Sequence, residues 1–441
     1  MVLTNNIIEY ALRIGADEVE LMTSRTLNRS SQILGDKLTN TSSINIESIV
    51  RVVVDKSVAS VRISTDEEAK LKTAVEKAIN IAKTSPSDPY WESLPEPNKP
   101  TRKKLDTWND DIATIDIEEM SEQVYKDYKY CKGLEGDVKL VGITYVYNES
   151  DIHILNSNGV DAQDKVNGLS YLIETKGVRE GYEVTTFGYE RSKKSRIDTQ
   201  EVIEDTYKRN LELLNAEKYE GIYEGPVAMD PLATATTLFF SLAMVITGVS
   251  VVEGFSPFKD KVGEQITSSH IEIIDDGVLP GGWNTRYYDD EGYPRGTTRI
   301  VEDGILKNFI HNSYTANRLG QPNTGNAVRR GTQVTVGITN LILRGGEKDT
   351  EKLLSGYDEI MLVRNMPMNA HTTNYVTGAL NLVATELYFY KKGSLEKIVK
   401  PMTLSGNIYE AMKTFRLGND VKHTFYNIIT PTVVMEGLKM A

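Results

Sequence analysis

The chain has a single cysteine, Cys131, among its 441 residues. No internal disulfide can form, which suits a reducing cytoplasm rather than a secreted framework. Histidine is scarce as well. His153, His270, His311, His371 and His423 all lie more than five residues apart, and no HExxH or HExxxH pattern occurs. Zinc needs three or four nitrogen, sulfur or carboxylate ligands that converge. Here they would have to come from five scattered histidines, so the composition points to no metal in this chain. The N-terminal stretch Met-Val-Leu-Thr-Asn-Asn has neither the basic nor the apolar region of a secretion signal, and a cytoplasmic location is expected. Positive charge is also in deficit. The formal net charge is −12, which argues against a general nucleic-acid binder.

What is present is ordinary for a soluble globular chain: 40% hydrophobic and 25% charged residues. The length exceeds what one core usually serves, so two domains are expected, at 1–220 and 221–441. The boundary falls in Glu217-Lys-Tyr-Glu-Gly-Ile-Tyr-Glu-Gly225.

Residues 4–14 read as a short amphipathic helix ended by Gly15, and 18–26 as a strand. Residues 31–46 read as a twisted hairpin, and 49–63 as two strands about an Asp55-Lys56 turn. A helix over 65–83 opens with a capping-box pattern, Thr65 and Glu68. Five prolines between 86 and 100 mark an irregular crossing. A helix at 116–130, strands at 138–148, 152–155, 168–176 and 182–189, and a helix at 199–215 follow. Strands followed by a helix thus occur twice, at 17–83 and 137–215, without sequence identity between the halves. The fold class expected is α+β: an N-terminal α/β domain of antiparallel strands with flanking helices, then a β-rich, barrel-like or multi-sheet domain around a buried helix.

That helix is the centre of the second half. Asp230 is a good N-cap, Pro231 suits the first turn, and Gly248 is a natural stop. From Leu232 to Thr247 no residue is charged. A helix apolar nearly all round is buried or spans a membrane. The run is dotted with Thr234, Thr236, Thr237, Ser241 and Thr247, and its apolar part is shorter than the ~20 residues of a span. Burial is therefore expected, with no membrane contact. The helix carries no His, Cys, Asp, Glu or Lys.

Three groups of residues remain as candidates for chemistry. Five carboxylates lie between Asp275 and Glu291, namely Asp275, Asp276, Asp289, Asp290 and Glu291. Such a set can bind Mg²⁺ or Ca²⁺, form an acid–base pair, or hold the turns of a Gly-rich loop. Their spacing is not that of an EF-hand. Asn326 lies in a Thr-Gly-Asn turn, and Arg329 with Arg330 could grip a carboxylate or phosphate or make structural salt bridges. No P-loop ending follows. Ser405 has no histidine or acid nearby in sequence, and the 404–407 and 417–420 segments read as turns. Asp289, Asp290, Glu291, Asn326, Arg329 and Arg330 are kept as candidate substrate- or partner-binding residues.

The order of these turns carries a resemblance. Asp275-Asp276-Gly277, Asp289-Asp290-Glu291-Gly292, Gly304-Ile305-Leu306-Lys307, Tyr314-Thr315-Ala316, Thr324-Gly325-Asn326, Leu404-Ser405-Gly406-Asn407 and Gly418-Asn419-Asp420 resemble the TldD/PmbA family, once labelled modulators of DNA gyrase. Each motif alone is weak, but seven in order are specific. Gly15-Ala16-Asp17 and the proline-rich crossing are consistent with it. The resemblance implies a cytoplasmic metalloprotease assembled from two related subunits. One subunit carries HExxxH on the buried helix and a cysteine ligand near the C-terminus. The other, of TldE or PmbA type, lacks both, and this chain is similar to that one. The resemblance thus carries over no catalytic or metal-binding residue. It implies a heterodimer with zinc in a TldD-like partner. What this chain can supply is shape: the β-rich half is expected to wall a shared chamber, in which an unfolded peptide lies along a sheet edge. A homodimer in isolation, a stand-alone metal-dependent hydrolase using 275–291, and a peptide-binding protein without protease function are the alternatives. Nothing in these residues supports DNA contact.

Overall fold

The computed structural model describes residues 5–134, 136–346 and 348–441. The chain is α+β. It starts with helix α1 (Asn6–Arg13), which buries Ile7, Ile8 and Ala11. Thr4, placed in this helix from sequence, lies outside the described residues. Strands β1 (Glu18–Leu34), β2 (Lys37–Val54) and β3 (Ser57–Ile63) follow, then α2 (Glu68–Thr84). The β2–β3 turn sits where expected, with Asp55 and Lys56 at φ 48° and 63°. Paired positive φ is the geometry whose twist matches two-residue hairpins. The expected capping box at α2 does not form. Glu67 is the N-cap without a side-chain bond, and the Thr65 hydroxyl accepts from the Glu67 N–H instead.

After the proline-rich crossing come α3 (Asp110–Ala113) and α4 (Ile117–Leu134). Three long strands follow: β4 (Val138–Asn156), β5 (Asp161–Arg179) and β6 (Tyr182–Ser192). α5 (Thr199–Leu213) closes the half. The sequence pattern divides β4 at Asn148–Asp151, but pairing to β1 on one side and β5 on the other keeps it whole. All six strands form one antiparallel sheet in the order β3-β2-β1-β4-β5-β6. Each set of three strands is followed by a helix that packs on its two outer strands, α2 on β2 and β3, α5 on β5 and β6. The repeat suspected from element order is therefore present in the topology, mirrored about the β1–β4 pair.

The second half begins with β7 (Val227–Met229), α6 (Pro231–Phe239), α7 (Leu242–Val245) and α8 (Gly248–Val252). Then come β8 (Ile273–Asp276), β9 (Thr297–Glu302), β10 (Ile305–Leu306), α9 (Ser313–Leu319), β11 (Ala327–Arg330), β12 (Gln333–Val336) and β13 (Leu341–Leu343). The strands of this half fall into separate open sheets, not one closed barrel. One six-stranded sheet runs β10-β9-β8-β13 and adds Ile428–Thr430 and Lys422–His423. Another sets β7 between Glu359–Arg364 and Val433–Met435. The helical segment lies between them in the largest core, with Val227, Leu238, Leu242, Ile273, Leu341 and Met361 in one apolar cluster. The stretches 333–343 and 379–391 are each two strands, not one. Gly337 and Asn340 turn the first, and Thr385 ends pairing in the second.

Candidate functional site

The segment after Asp230 is buried as its composition demands, but it is three short helices instead of one. Asp230 caps α6, accepting from the Ala233 N–H at 2.8 Å, and Pro231 occupies the first turn. The helix then stops at Phe239. Thr236 and Ser241 hydroxyls bond back to the Leu232 and Thr237 carbonyls at 2.8 and 2.7 Å. Such back-bonding competes with the helical ladder. Phe239 and Phe240 instead turn to Tyr426, with ring centroids 4.6 and 5.6 Å away. Gly248 does not end a helix here. It opens α8, behind the Thr247 cap. Glycine is required for space: a Cβ would lie 2.3 Å from His311 Nδ1 and 2.6 Å from Thr315 Oγ1.

Two crevices of about 560 Å³ each flank α6, the first at its start and the second at its end, and share Phe187 and Asn365. The first is polar. Arg191, Asp198, Asp205, Arg364, Lys422 and His423 are among its lining residues. Asp230 is in its floor, and burial raises its carboxyl above the usual range. The second crevice is mostly apolar, walled by Tyr182, Phe240, Met366, Pro367, His371 and Tyr426. Both run along β6, the last strand of its sheet, and among the described residues no strand pairs with its outer edge. The Phe187 carbonyl on this strand accepts from Arg209 at 2.7 Å and Asn365 at 3.2 Å. Arg209 also grips Glu386 through two bonds, at 2.9 and 2.8 Å. Burial opposes the Arg209 charge, but Glu386 and Asp205 more than offset this and raise its pKa. The crevices thus lie at the seam of the two halves, beside the helix that composition singled out. The sequence did not reveal β6 as part of this site, because an edge is defined only by what fails to pair with it.

The acidic loop is in the same seam, further along it. Its residues are occupied by the chain itself. Asp275 accepts from the Thr339 N–H and hydroxyl and from Asn326 Nδ2, at 2.7, 2.8 and 2.6 Å. Asp289 accepts three backbone N–H bonds, from Glu291, Tyr293 and Ala327. Burial, then the neighbouring Glu291, push its carboxyl up. Asp290 pairs with Arg286 and accepts from the Arg329 N–H at 2.8 Å. Burial would raise its carboxyl, but the Arg286 guanidinium outweighs this and holds it below the usual range. Glu291 binds Arg51 of β2 at 2.9 Å and the Ser313 N–H at 3.0 Å. Arg51 also binds Glu20 of β1 at 2.8 Å, and Arg329 pairs with that same Glu20. Arg329 and Arg330 are successive residues of β11, so they face opposite ways: the Arg329 side chain is buried and Arg330 is exposed. They do not form one joint grip. Asp289, Asp290, Glu291, Asn326 and Arg329 are brought together, with Glu20 and Arg51 as partners that sequence alone could not supply.

Among the described residues, no three His, Cys, Asp or Glu side chains are grouped so as to hold a metal ion. The residues on α6–α8 do not fit zinc: the segment offers threonine and serine hydroxyls, most of them spent on backbone carbonyls, with Thr237 on the Met229 sulfur and Thr247 on the Ser250 N–H. His311 sits beneath α8, but burial lowers its pKa to about 4 and its Nδ1 faces Thr315 at 3.2 Å. No described helix is long and apolar enough to cross a membrane.

Comparison with known proteins bears on this geometry. Residues 222–441 match the model of the PmbA/TldA metallopeptidase C-terminal domain. An uncharacterized protein of Methanocaldococcus jannaschii is 31% identical over 286 residues, covering 64% of this chain and 65% of that protein. A metalloprotease of the same organism is 26% identical, covering 68% of this chain and 66% of its own length. The chain thus spans just under two thirds of the length of these relatives. The crystal structure of TldE from Thermococcus kodakarensis has the same fold, with a TM-score of 0.92 at 23% identity over 99% of both chains.

Proposed function

We propose, from the premise that this chain belongs to the TldD/PmbA family, that it is the non-catalytic, TldE-type subunit of a two-subunit metalloprotease. One observation carries the reading. The chain has a metallopeptidase-family C-terminal half, yet its buried helical segment offers neither a metal ligand nor a general base. Zinc hydrolysis needs a metal to lower the pKa of water and a carboxylate to take the proton. Both would come from a TldD-like, zinc-bearing partner in the cytoplasm.

The contribution of this chain would be shape and peptide binding. An extended, unfolded peptide would lie along the outer edge of β6, using backbone hydrogen bonds that make little demand on sequence. The apolar crevice would take its side chains, and the neighbouring polar one would accommodate charged residues. The division into domains at 1–220 and 221–441 would set these crevices at the hinge of the two. Asp289, Asp290, Glu291, Asn326 and Arg329 would serve binding indirectly by holding the 277–296 loop, while exposed Arg330 is available to a partner.

The test is zinc content and peptidase activity of the chain alone, and mixed with a partner bearing HExxxH. The expected result is a stable complex that degrades an unstructured peptide, with zinc and cleavage absent from the single chain. Stoichiometric zinc and peptide cleavage by the single chain would overturn the reading, as would failure of the two to associate.

A further inference from the structure

The outer edge of β6 is not open along its whole length. In an antiparallel pair, residues alternate between those that bond their neighbour and those whose N–H and C=O point away from it. The Phe187 carbonyl accepts from Arg209 and Asn365, which lie outside the sheet, so Phe187 is of the second kind. Glu183, Thr185, Tyr189 and Arg191 share its parity. The groups that close the edge at Phe187 are themselves held. Asn365 is 7% exposed; its N–H donates to Asp230 at 3.1 Å, and its side-chain amide also donates to Glu386 at 2.6 Å. Past Phe187 the chain's own 424–427 turn leans on the strand. Phe425 packs against Tyr189 with ring centroids 5.1 Å apart, and Arg191 bonds Asn427 Oδ1 at 3.0 Å. The Arg191 N–H is taken by the Glu190 carboxylate, also at 3.0 Å. On the other side of Phe187 nothing intervenes. Glu183 and Thr185 are exposed, and among the described residues their outward backbone groups have no partner.

These two residues line the apolar crevice. Its walls include Tyr182, Phe240, Met366, Met368 and Tyr426, and Met368 is 58% exposed. Methionine and aromatic walls adapt to apolar groups of varied shape. Among the described residues that line it there is no lysine or arginine, whereas Glu183 and Glu386 are both carboxylates. Arg209 is spent on Glu386, and Lys400 lies against Tyr182, 4.7 Å from the ring centroid, without lining the crevice. A carboxylate entering here would lose its hydration with no free cation to meet it.

We propose that the 183–185 segment of β6, up to the closed carbonyl of Phe187, is a peptide subsite with a side-chain preference. It takes an extended segment that carries an uncharged apolar residue and rejects one with an acidic residue at that place. The occupant is extended because the free donors and acceptors recur on alternate residues, a spacing that a strand matches. Phe187 sets the register. No peptide N–H can take the place of Arg209 and Asn365 on its carbonyl, so the bonded stretch is short and the peptide leaves the edge there. This inference rests on the peptide-binding role argued above, but not on the zinc-bearing partner.

The experiment measures binding of the full chain, without partner, to a fluorescein-labelled peptide of serine, threonine and glycine with one central leucine, by fluorescence anisotropy. The leucine is exchanged for phenylalanine, methionine or aspartate, and in a second series each peptide N–H is methylated in turn. Phenylalanine and methionine should bind within about threefold of leucine, and aspartate about tenfold more weakly or worse. N-methylation should weaken binding about fivefold at alternate residues only, because every second N–H faces the edge. Thr185→Pro should weaken it similarly, since it removes only an outward N–H, where an edge strand tolerates proline. No binding by the chain, equal affinity for the leucine and aspartate peptides, or N-methyl effects without alternation would overturn the proposal. Zinc content and cleavage with the partner are separate readouts, so the subunit role can stand when the subsite falls.

Discussion

Replacing Arg51 by methionine tests the view that the two halves are joined by one buried ion network. Arg51 Nη2 bonds Glu20 of β1 at 2.8 Å and Glu291 of the acidic loop at 2.9 Å, and the three side chains are 5%, 0% and 1% exposed. Methionine preserves much of the volume, so packing loss is small. What changes is charge. Removing one member of a buried pair costs about 3–5 kcal/mol, because the other is left buried and uncompensated. Glu20 retains Arg329, whereas among the described residues Glu291 retains only the Ser313 N–H. The penalty therefore falls mainly on Glu291, and the lower end, about 3 kcal/mol, is expected. Urea unfolding followed by tryptophan fluorescence reads this directly. Trp91 lies 5.6 Å from the Arg51 guanidinium, and Trp283 reports on the loop. In the double variant Arg51→Met/Glu291→Gln the orphaned charge is gone and the Ser313 bond can persist. About 1–2 kcal/mol should return, a coupling of the size expected for residues in one network. A single-variant loss below about 1 kcal/mol, or a double variant no more stable than the single, would refute the reasoning.

Two further outcomes follow from the ground beneath α8. The folded pKa of His311 is lowered by burial to about 4, against an unfolded value near 6.5, so the unfolded chain binds more protons between these limits. Stability should therefore fall as pH drops from about 6.5 to about 4, by about 3 kcal/mol in all, and His311→Phe should remove that part of the slope in urea titrations at successive pH values. If the slope survives unchanged, His311 is not its source. Gly248→Ala would set a methyl 2.3 Å from His311 Nδ1 and 2.6 Å from Thr315 Oγ1, both held by other bonds. Overpacking of this kind costs about 1–3 kcal/mol, and a thermal midpoint equal to that of the parent would show that the site yields freely.

Much of the N-terminal sheet was legible because its strands obey local rules. The β2–β3 turn is written in Asp55-Lys56, and helices α2, α4 and α5 lie within a few residues of their patterned stretches. Where the reading failed, a tertiary contact overrode a local signal. The Thr65 cap lost to a turn bond. The uncharged helix was cut where Phe239 and Phe240 could reach Tyr426, a residue far off in sequence. Glycine at 248 reads as a helix stop by type, yet it is there because two side chains of the 311–315 segment press against it.

The candidate site divides along the same line. The absence of any ligand or base from 232–247 is a property of composition, and no folding can add one. The order of seven turn motifs is what points to the family, and that absence is what the proposed role of a subunit without its own catalytic centre rests on. Nothing in the chain's order shows that β6 ends its sheet and presents an open edge to two crevices. Neither does it show that Arg51 bridges Glu20 of the first sheet and Glu291 of the acidic loop. Those facts depend on which groups meet and which are left unpaired, and that is settled only when distant segments share one buried, low-dielectric space.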